Sequence, residues 1–272
     1  SAALQSSRGG GPVGNAPLDE RLMGGVSRLR VTRRIEGLHP GSAVSACCHA
    51  EDGSTLCSVS GNQLRVFCPH RRKLLRAAAA GELHVSSCLQ LLGHDLVALG
   101  SWDQRIHLYS VGRGKILETR LSHDDAVSCL DGSWAAASGA ASLSSGSHLL
   151  VSGSWDSTVR VWPLLTSGLA PAPLRTLGEH DARVLCVSVL PTDPRLAVSG
   201  SAGGDVALWD GRKPGSPALL IEPHLTGGMT SGVGLRSGPN GLCISSCATG
   251  GGVAVCEVRA PRPRILRHSG PA

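Results

Sequence analysis

Three side chains that carry out acyl transfer when they meet are His123, Ser152 and Asp156. An imidazole takes the proton of a serine hydroxyl while a carboxylate orients the ring, which is the division of labour in a serine hydrolase. A second set, His180 and Ser199, repeats the first in part, and each set is followed by a tryptophan, Trp162 and Trp209. The hydrolase reading is disfavoured because no Gly-x-Ser-x-Gly elbow surrounds Ser152. His123-Asp124-Asp125 resembles a metal corner, but one loop supplying every ligand is a poorer explanation than ordinary turn chemistry. Cys243 and Cys247 have no partner pair at zinc-like spacing, so no structural metal is expected. Gly112, Gly114 and Gly203-Gly204 lack the Gly-Lys-Ser/Thr ending of a phosphate loop and read as turns. No catalytic residue, metal or cofactor is expected.

These side chains sit in a phrase that recurs. Gly153 to Trp162 reads as strand, polar turn and strand, with Ser154 before a turn at Asp156, Ser157 and Thr158. Gly100 to Tyr109 and Gly200 to Trp209 repeat it. The apolar residue before the last aromatic place, Val66, Leu108, Val161, Leu208 and Val255, returns at spacings of 42, 53, 47 and 47 residues. The longest spacing contains an Ala/Ser/Gly-rich insertion at about Asp131 to Ser147, expected in a surface loop. A recurrence of this length is an architectural signal.

Composition agrees with many short strands: 41% of residues are apolar, only 3% are aromatic, and 36 are glycine. The formal charge of +6 is modest, and its main cluster is His70-Arg71-Arg72-Lys73 with Arg76. A solvated loop is the plain explanation of that cluster, and an anionic membrane or a nucleic acid is the alternative. The scarcity of aromatics makes nucleic acid unlikely as a partner. No apolar run approaches the roughly 20 residues of a spanning helix. A soluble, cytoplasmic protein is expected, membrane-associated only through a neighbouring domain. The cysteines at Cys88, Cys129 and Cys186, with Cys47 near the same place, read as small buried core residues.

Four short strands per repeat make a blade, and a period of about 40 to 45 residues closed by Trp-Asp resembles the WD-repeat β-propeller. Only Trp209-Asp210 keeps the full dipeptide, while Phe67, Tyr109, Trp162 and Cys256 stand at the aromatic place of the other repeats. The expected fold is therefore all-β. Residues 1–26 are expected to form a flexible arm, and 27–272 a propeller with blades near 37–80, 81–121, 122–178, 179–222 and 223–268. Ser27 to Glu36 reads as an additional strand. In this family a His, a Ser or Thr, an Asp and the Trp form a hydrogen-bonded tetrad inside each blade. The resemblance assigns those roles to His123, Ser152, Asp156 and Trp162 in the third repeat. In the fourth it assigns His180, Ser199 and Trp209, with Gly203 where the Asp belongs. The second keeps Asp103 but has Glu82 and Leu99 at the His and Ser places. A tetrad lies within a blade, beyond the reach of substrate, which weighs further against hydrolysis.

Three stretches, from Ser87 to Asp103, Ser122 to Ser128 and Ser154 to Trp162, are similar to the C-terminal WD repeats of BEACH-domain proteins. That similarity implies a seven-bladed ring, of which five blades are expected here as a fragment; five blades closing on themselves is the alternative. It also implies a non-catalytic scaffold in receptor signalling or membrane trafficking that binds other proteins through propeller loops and takes no small-molecule substrate. A ubiquitin-ligase substrate receptor or a chromatin reader is the other WD-repeat reading. Trp102 and Trp155, each just before the turn Asp, are candidates for partner contacts, with packing between blades as the structural explanation.

Overall fold

A computed structural model describes residues 35, 38–50, 53–79, 83–91, 95–134, 148–165, 168–178, 180–213, 216–224, 228–238, 241–258 and 264–269. The chain divides into residues 1–38 and 39–272. The expected arm at 1–26 lies outside the described residues, as does the Ser27–Glu36 strand except for Ile35, which is exposed and in no strand.

Residues 39–272 form five antiparallel sheets in chain order. The first comprises Ala46–His49, Leu56–Ser60, Gln63–Cys68 and Lys73–Ala79, the second Val85–Gln90, Leu96–Ser101, Arg105–Ser110 and Lys115–Leu121. The third has Val127–Trp134, His148–Ser154 and Val159–Leu165, with Arg175–Leu177 and Gly168–Leu169 as two short outer strands. The fourth is Val184–Leu190, Asp193–Ser201, Val206–Asp210 and Leu219–Ile221, and the fifth Thr230–Gly238, Gly241–Ala248, Gly252–Val258 and Arg264–Ser269. The first strand of the third sheet reaches Trp134, so the start of the expected insertion is strand; residues 135–147 lie outside the described residues.

The second, third and fourth sheets each pack both faces against neighbours, which explains why their second strands are apolar almost without alternation. Val97, Leu99 and Tyr109 face the first blade, in one cluster with Val59 and Leu64. Ala98, Ile106 and Leu108 face the third, in another with Leu150 and Trp162. Two further clusters join the third blade to the fourth and the fourth to the fifth. The outer strand Lys115–Leu121 lies at a sheet edge and alternates. Among the described residues substantial strand contacts link each blade to the next and none links the first to the fifth, so the five described sheets form an open arc. This is an all-β, partial WD-type propeller; among the described residues no helix is long and apolar enough to cross a membrane.

The recurring Gly-Ser has a steric cause. A Cβ on Gly100 would stand 2.8 Å from Val127 Cγ1, one on Gly153 2.6 Å from Val184 Cγ1. The next blade's first strand presses on that backbone, and only glycine leaves room. Ser101 and Ser154 then donate to the carbonyls of His84 and Asp125, tying the second strand to the entry loop of its own blade.

No disulfide joins the cysteines among the described residues, and those expected at one repeating place do not share it. Cys129 and Cys186 pair with Gly153 and Gly200, whereas Ser87 is the residue opposite Gly100 and Cys88 lies one residue further on, opposite Leu99. Cys47 is exposed, so the expectation of a buried core residue there is corrected.

Candidate functional site

The third-blade residues meet inside the sheet. Ser152 pairs with Arg160 and Leu150 with Trp162, which puts the serine and the indole on one face, toward the second blade. His123, entering ahead of the first strand, lies between them and the turn. Its Nε2 is 2.7 Å from Ser152 Oγ and its Nδ1 is 2.9 Å from Asp156 Oδ2, while Trp162 Nε1–H donates to Ser152 Oγ at 3.0 Å. With the imidazole proton on Nδ1, every donor has one acceptor: indole to serine, serine to imidazole, imidazole to carboxylate.

Asp156 also accepts the backbone N–H groups of Asp124 and Thr158 and the Thr158 hydroxyl. Burial pushes its carboxyl up, but the bonds from His123, Thr158 and Asp124 outweigh that and hold it well below the usual carboxylate range. Burial is also the main influence on His123, lowering it from the ordinary imidazole value against the pull of Asp156. The ring is neutral at pH 7.

The distances are those of a hydrolase relay, but accessibility is not. Ser152 is 0% and His123 1% exposed, and the Trp162 N–H occupies a lone pair that a nucleophilic oxygen would use. The serine oxygen is closed to a substrate carbonyl in this arrangement, and its hydrogen bonds join the entry loop to the second and third strands.

The fourth blade repeats it with one change. His180 Nε2 lies 2.6 Å from Ser199 Oγ, and Trp209 Nε1–H donates to the same oxygen at 2.7 Å. The carboxylate comes from Asp205, hydrogen-bonded to His180 Nδ1 and to the Ser201 hydroxyl. Position matching placed the Asp at Gly203 and missed it. Ser154 and Ser201 are equivalent by pairing, so Asp205 stands at the place of Thr158. Thr158 Oγ1 is itself 3.2 Å from His123 Nδ1, so either end of the turn faces the imidazole. The fourth set is therefore complete.

The second blade has Leu99 at the serine place, opposite His107; Glu82 lies outside the described residues. Its Asp103 is taken instead by His107, whose Nε2 is 3.1 Å from Oδ2 and whose Nδ1 meets Thr119 Oγ1 at 3.0 Å. The first blade holds a pair that went unread in the sequence: His39 Nε2 lies 2.9 Å from Ser58 Oγ. There Phe67 offers no N–H, and the two-residue turn Gly61-Asn62 supplies no carboxylate. In the fifth, Ser246 is buried but Cys256 stands at the tryptophan place.

Trp102 and Trp155 lie at the surface and stack on each other across the second and third blades, ring centres 5.6 Å apart. His84 covers the other end of the stack at 4.0 Å from Trp102, and the fourth blade's Arg183 guanidinium lies 4.5 Å from the Trp155 ring centre. Trp155 is half-buried in this stack, and Trp102 is 50% exposed. At the His84 end lies an open depression of about 470 Å³ lined by Ser42, Ser60, Asn62 and Gln63. No group of three or more metal-ligating side chains occurs among the described residues.

The WD domain, G-beta repeat family matches residues 114–163 and 171–210, the third and fourth repeats that carry complete tetrads. The chain is similar to "Periodic tryptophan protein 2 homolog" of Schizosaccharomyces pombe, 35% identical over 44% of the chain and 14% of that protein. It is similar to "BEACH domain-containing protein B" of Arabidopsis thaliana, 28% identical over 40% of the chain and 4% of that protein. "F-box/WD repeat-containing protein 9" of Homo sapiens is 28% identical over 73% of the chain and 40% of its own length. The chain thus spans less than half of each of these relatives, and it carries WD repeats whose relatives include, but are not confined to, BEACH-domain proteins.

Proposed function

We propose that the chain is a non-catalytic protein-interaction module whose contact strip is the His84–Trp102–Trp155–Arg183 ladder. The observation that carries this is the exposure of Trp102 within a stack spanning three blades. An aromatic surface already ordered by its neighbours loses little side-chain entropy on binding and suits an interface centre. The finer reading is the WD module of a BEACH-family adaptor in receptor signalling or trafficking, similar to factor associated with neutral sphingomyelinase activation. It is supported by the BEACH-domain relative.

A second reading, a substrate-receptor subunit of another assembly, is favoured by the F-box relative aligned over 211 residues. Affinity capture from cell extract with the parent chain and with Trp102→Ala/Trp155→Ala tests the strip. Partners present with the parent and absent with the variant support it; an unchanged set sinks it. Trafficking or receptor components among those lost favour the adaptor, and ubiquitin-ligase components the second reading. Ser152→Ala, buried away from the ladder, should leave the partner set unchanged.

A further inference from the structure

The opposite end of the first two blades carries a different surface. In a blade the third strand separates the turn holding Trp102 from the turn that leads to the outer strand. Arg105–Ser110 sets them roughly 20 Å apart. At that far end lie Arg71, Arg72 and Lys73 of the first blade and Arg113 and Lys115 of the second, all exposed. Among the described residues none of these five has a carboxylate partner, whereas Arg105, Arg120, Arg160 and Arg212 are each paired with one. The two turns are held together by Arg76, which donates to the carbonyls of Val111 at 3.0 Å and Gly112 at 2.7 Å. The one carboxylate described at these turns, Asp95, is occupied by the Ser110 hydroxyl and the Gly112 N–H.

The same device recurs beside each cluster. Lys73 and Lys115 begin the outer strands, paired with Cys68 and Ser110. Two residues on, both strands shift register, and the residue skipped is a leucine: Leu75, 40% exposed, and Leu117, 42% exposed. A bulge re-aims the side chain it carries. Two adjacent blades therefore turn a leucine to solvent next to cations that have no carboxylate partner among the described residues.

We propose that this end of the first and second blades docks on an anionic lipid bilayer, the cations meeting headgroup phosphates and Leu75 and Leu117 entering the interface. Lysines and arginines at a surface gain from a negative leaflet, and apolar side chains beside them add burial. Duplex or single-stranded nucleic acid fits less well: exposed leucines have no role on a phosphate backbone, and among the described residues no Trp, Tyr or Phe is exposed at these turns for stacking, His70 being the one ring there. A free phosphate would need the cations to converge on one cradle, and they are spread along two turns. The surface leaves the tryptophan ladder free, so bilayer and protein partner can be held at once.

Co-sedimentation of the chain with phosphatidylcholine vesicles, with and without phosphatidylserine, tests this. Binding is expected only to the anionic vesicles and should weaken with salt. Arg71→Gln/Arg113→Gln should lower it about 25-fold, each cation contributing about fivefold. Leu75→Ser/Leu117→Ser should remove the binding that survives raised salt. If the arginine variant melts below the parent, Lys73→Gln/Lys115→Gln carries the same test from the strand starts. Equal binding to neutral vesicles, binding unchanged in the variants, or displacement of the chain from anionic vesicles by short duplex RNA would each overturn the proposal.

Discussion

The second and third blades have the same strand plan and differ in what lies at one cross-strand place. In the third, Ser152 accepts the Trp162 N–H and donates to His123 Nε2, and the His123 Nδ1–H donates to Asp156. In the second, Leu99 stands there, and the Tyr109 hydroxyl, at the aromatic place, is buried without a partner among the described residues. Its Asp103 is met instead by His107 of the third strand and by the Arg105 N–H. One blade uses its polar groups as a tether from entry loop to third strand. The other is held by apolar packing, with its polar contacts moved to the outer strand. Conserving an aromatic at the strand end does not conserve the tether; a hydroxyl opposite must be there to receive its N–H.

The largest test of this contrast is Trp162→Ala, which removes a fully buried ring and the serine's donor together. It should cost about 3–5 kcal/mol in urea unfolding, with faster amide exchange in His148–Ser154 and Val159–Leu165 than elsewhere. An effect spread evenly over the five blades would break the claim that the tether is local. Ser152→Ala keeps the ring but strands two buried groups, and about 1–3 kcal/mol should be lost. A hydrolase would instead show lost turnover at unchanged stability.

Between the third and fourth blades the comparison can be run backwards. Asp205→Thr removes the carboxylate bonded to His180 and should cost about 1–3 kcal/mol. Adding Gly203→Asp copies the third-blade turn and should restore most of it, because Ser201 and Gly203 occupy the places of Ser154 and Asp156. If the double variant stays as weak as Asp205→Thr, the two ends of the turn are not equivalent.

Acid should separate tethered from untethered blades. His123 has its folded pKa lowered from 6.5 and Asp156 from 3.8, so in both cases the unfolded chain takes up the proton first. The stability they confer is complete above pH 6.5, declines as pH falls and His123 resists protonation, and declines again below 3.8. His39, also lowered by burial and by the nearby Arg65, works in the same direction. Amide exchange in the third blade should therefore accelerate between neutral and mildly acid pH, and the His123→Gln chain should lose that dependence. An identical pH profile in the variant contradicts the assignment.

The repeat, the sheet order and the third-blade tetrad were legible because strand period and turn residues recur at fixed offsets. What escaped did so for reasons of geometry. Asp205 was hidden because counting treats a turn as a string, whereas in space its first and third positions both face the imidazole. His39 was hidden because the partners that mark a tetrad, a turn carboxylate and an indole, are absent from its blade. The inequivalence of Cys88 with Cys129 and Cys186 depends on where counting starts: the same bulge opens the first strand of all three blades, and Cys88 is three residues past its paired valine, Val85, where Cys129 and Cys186 are two past Val127 and Val184. The stack of Trp102 on Trp155 required the curvature between blades, which no single repeat encodes.

The smallest expected effect is the most discriminating. Tyr109→Phe deletes one oxygen from a blade where that oxygen has no partner, 5% exposed in a cluster of Val97, Leu99 and Cys57. Burial already raises its phenol pKa, the direction expected of a hydroxyl surrounded by apolar groups. A buried polar atom without a hydrogen bond costs stability, so its removal should raise the midpoint of unfolding by the equivalent of about 0.5–1 kcal/mol. The corresponding change in the third blade, Trp162→Phe, shrinks the ring and takes away a satisfied N–H, and it must lower stability. Opposite signs for the two aromatic-to-Phe changes would tie the difference between the blades to the residue facing the ring, Leu99 or Ser152. Like signs would mean that packing alone governs both.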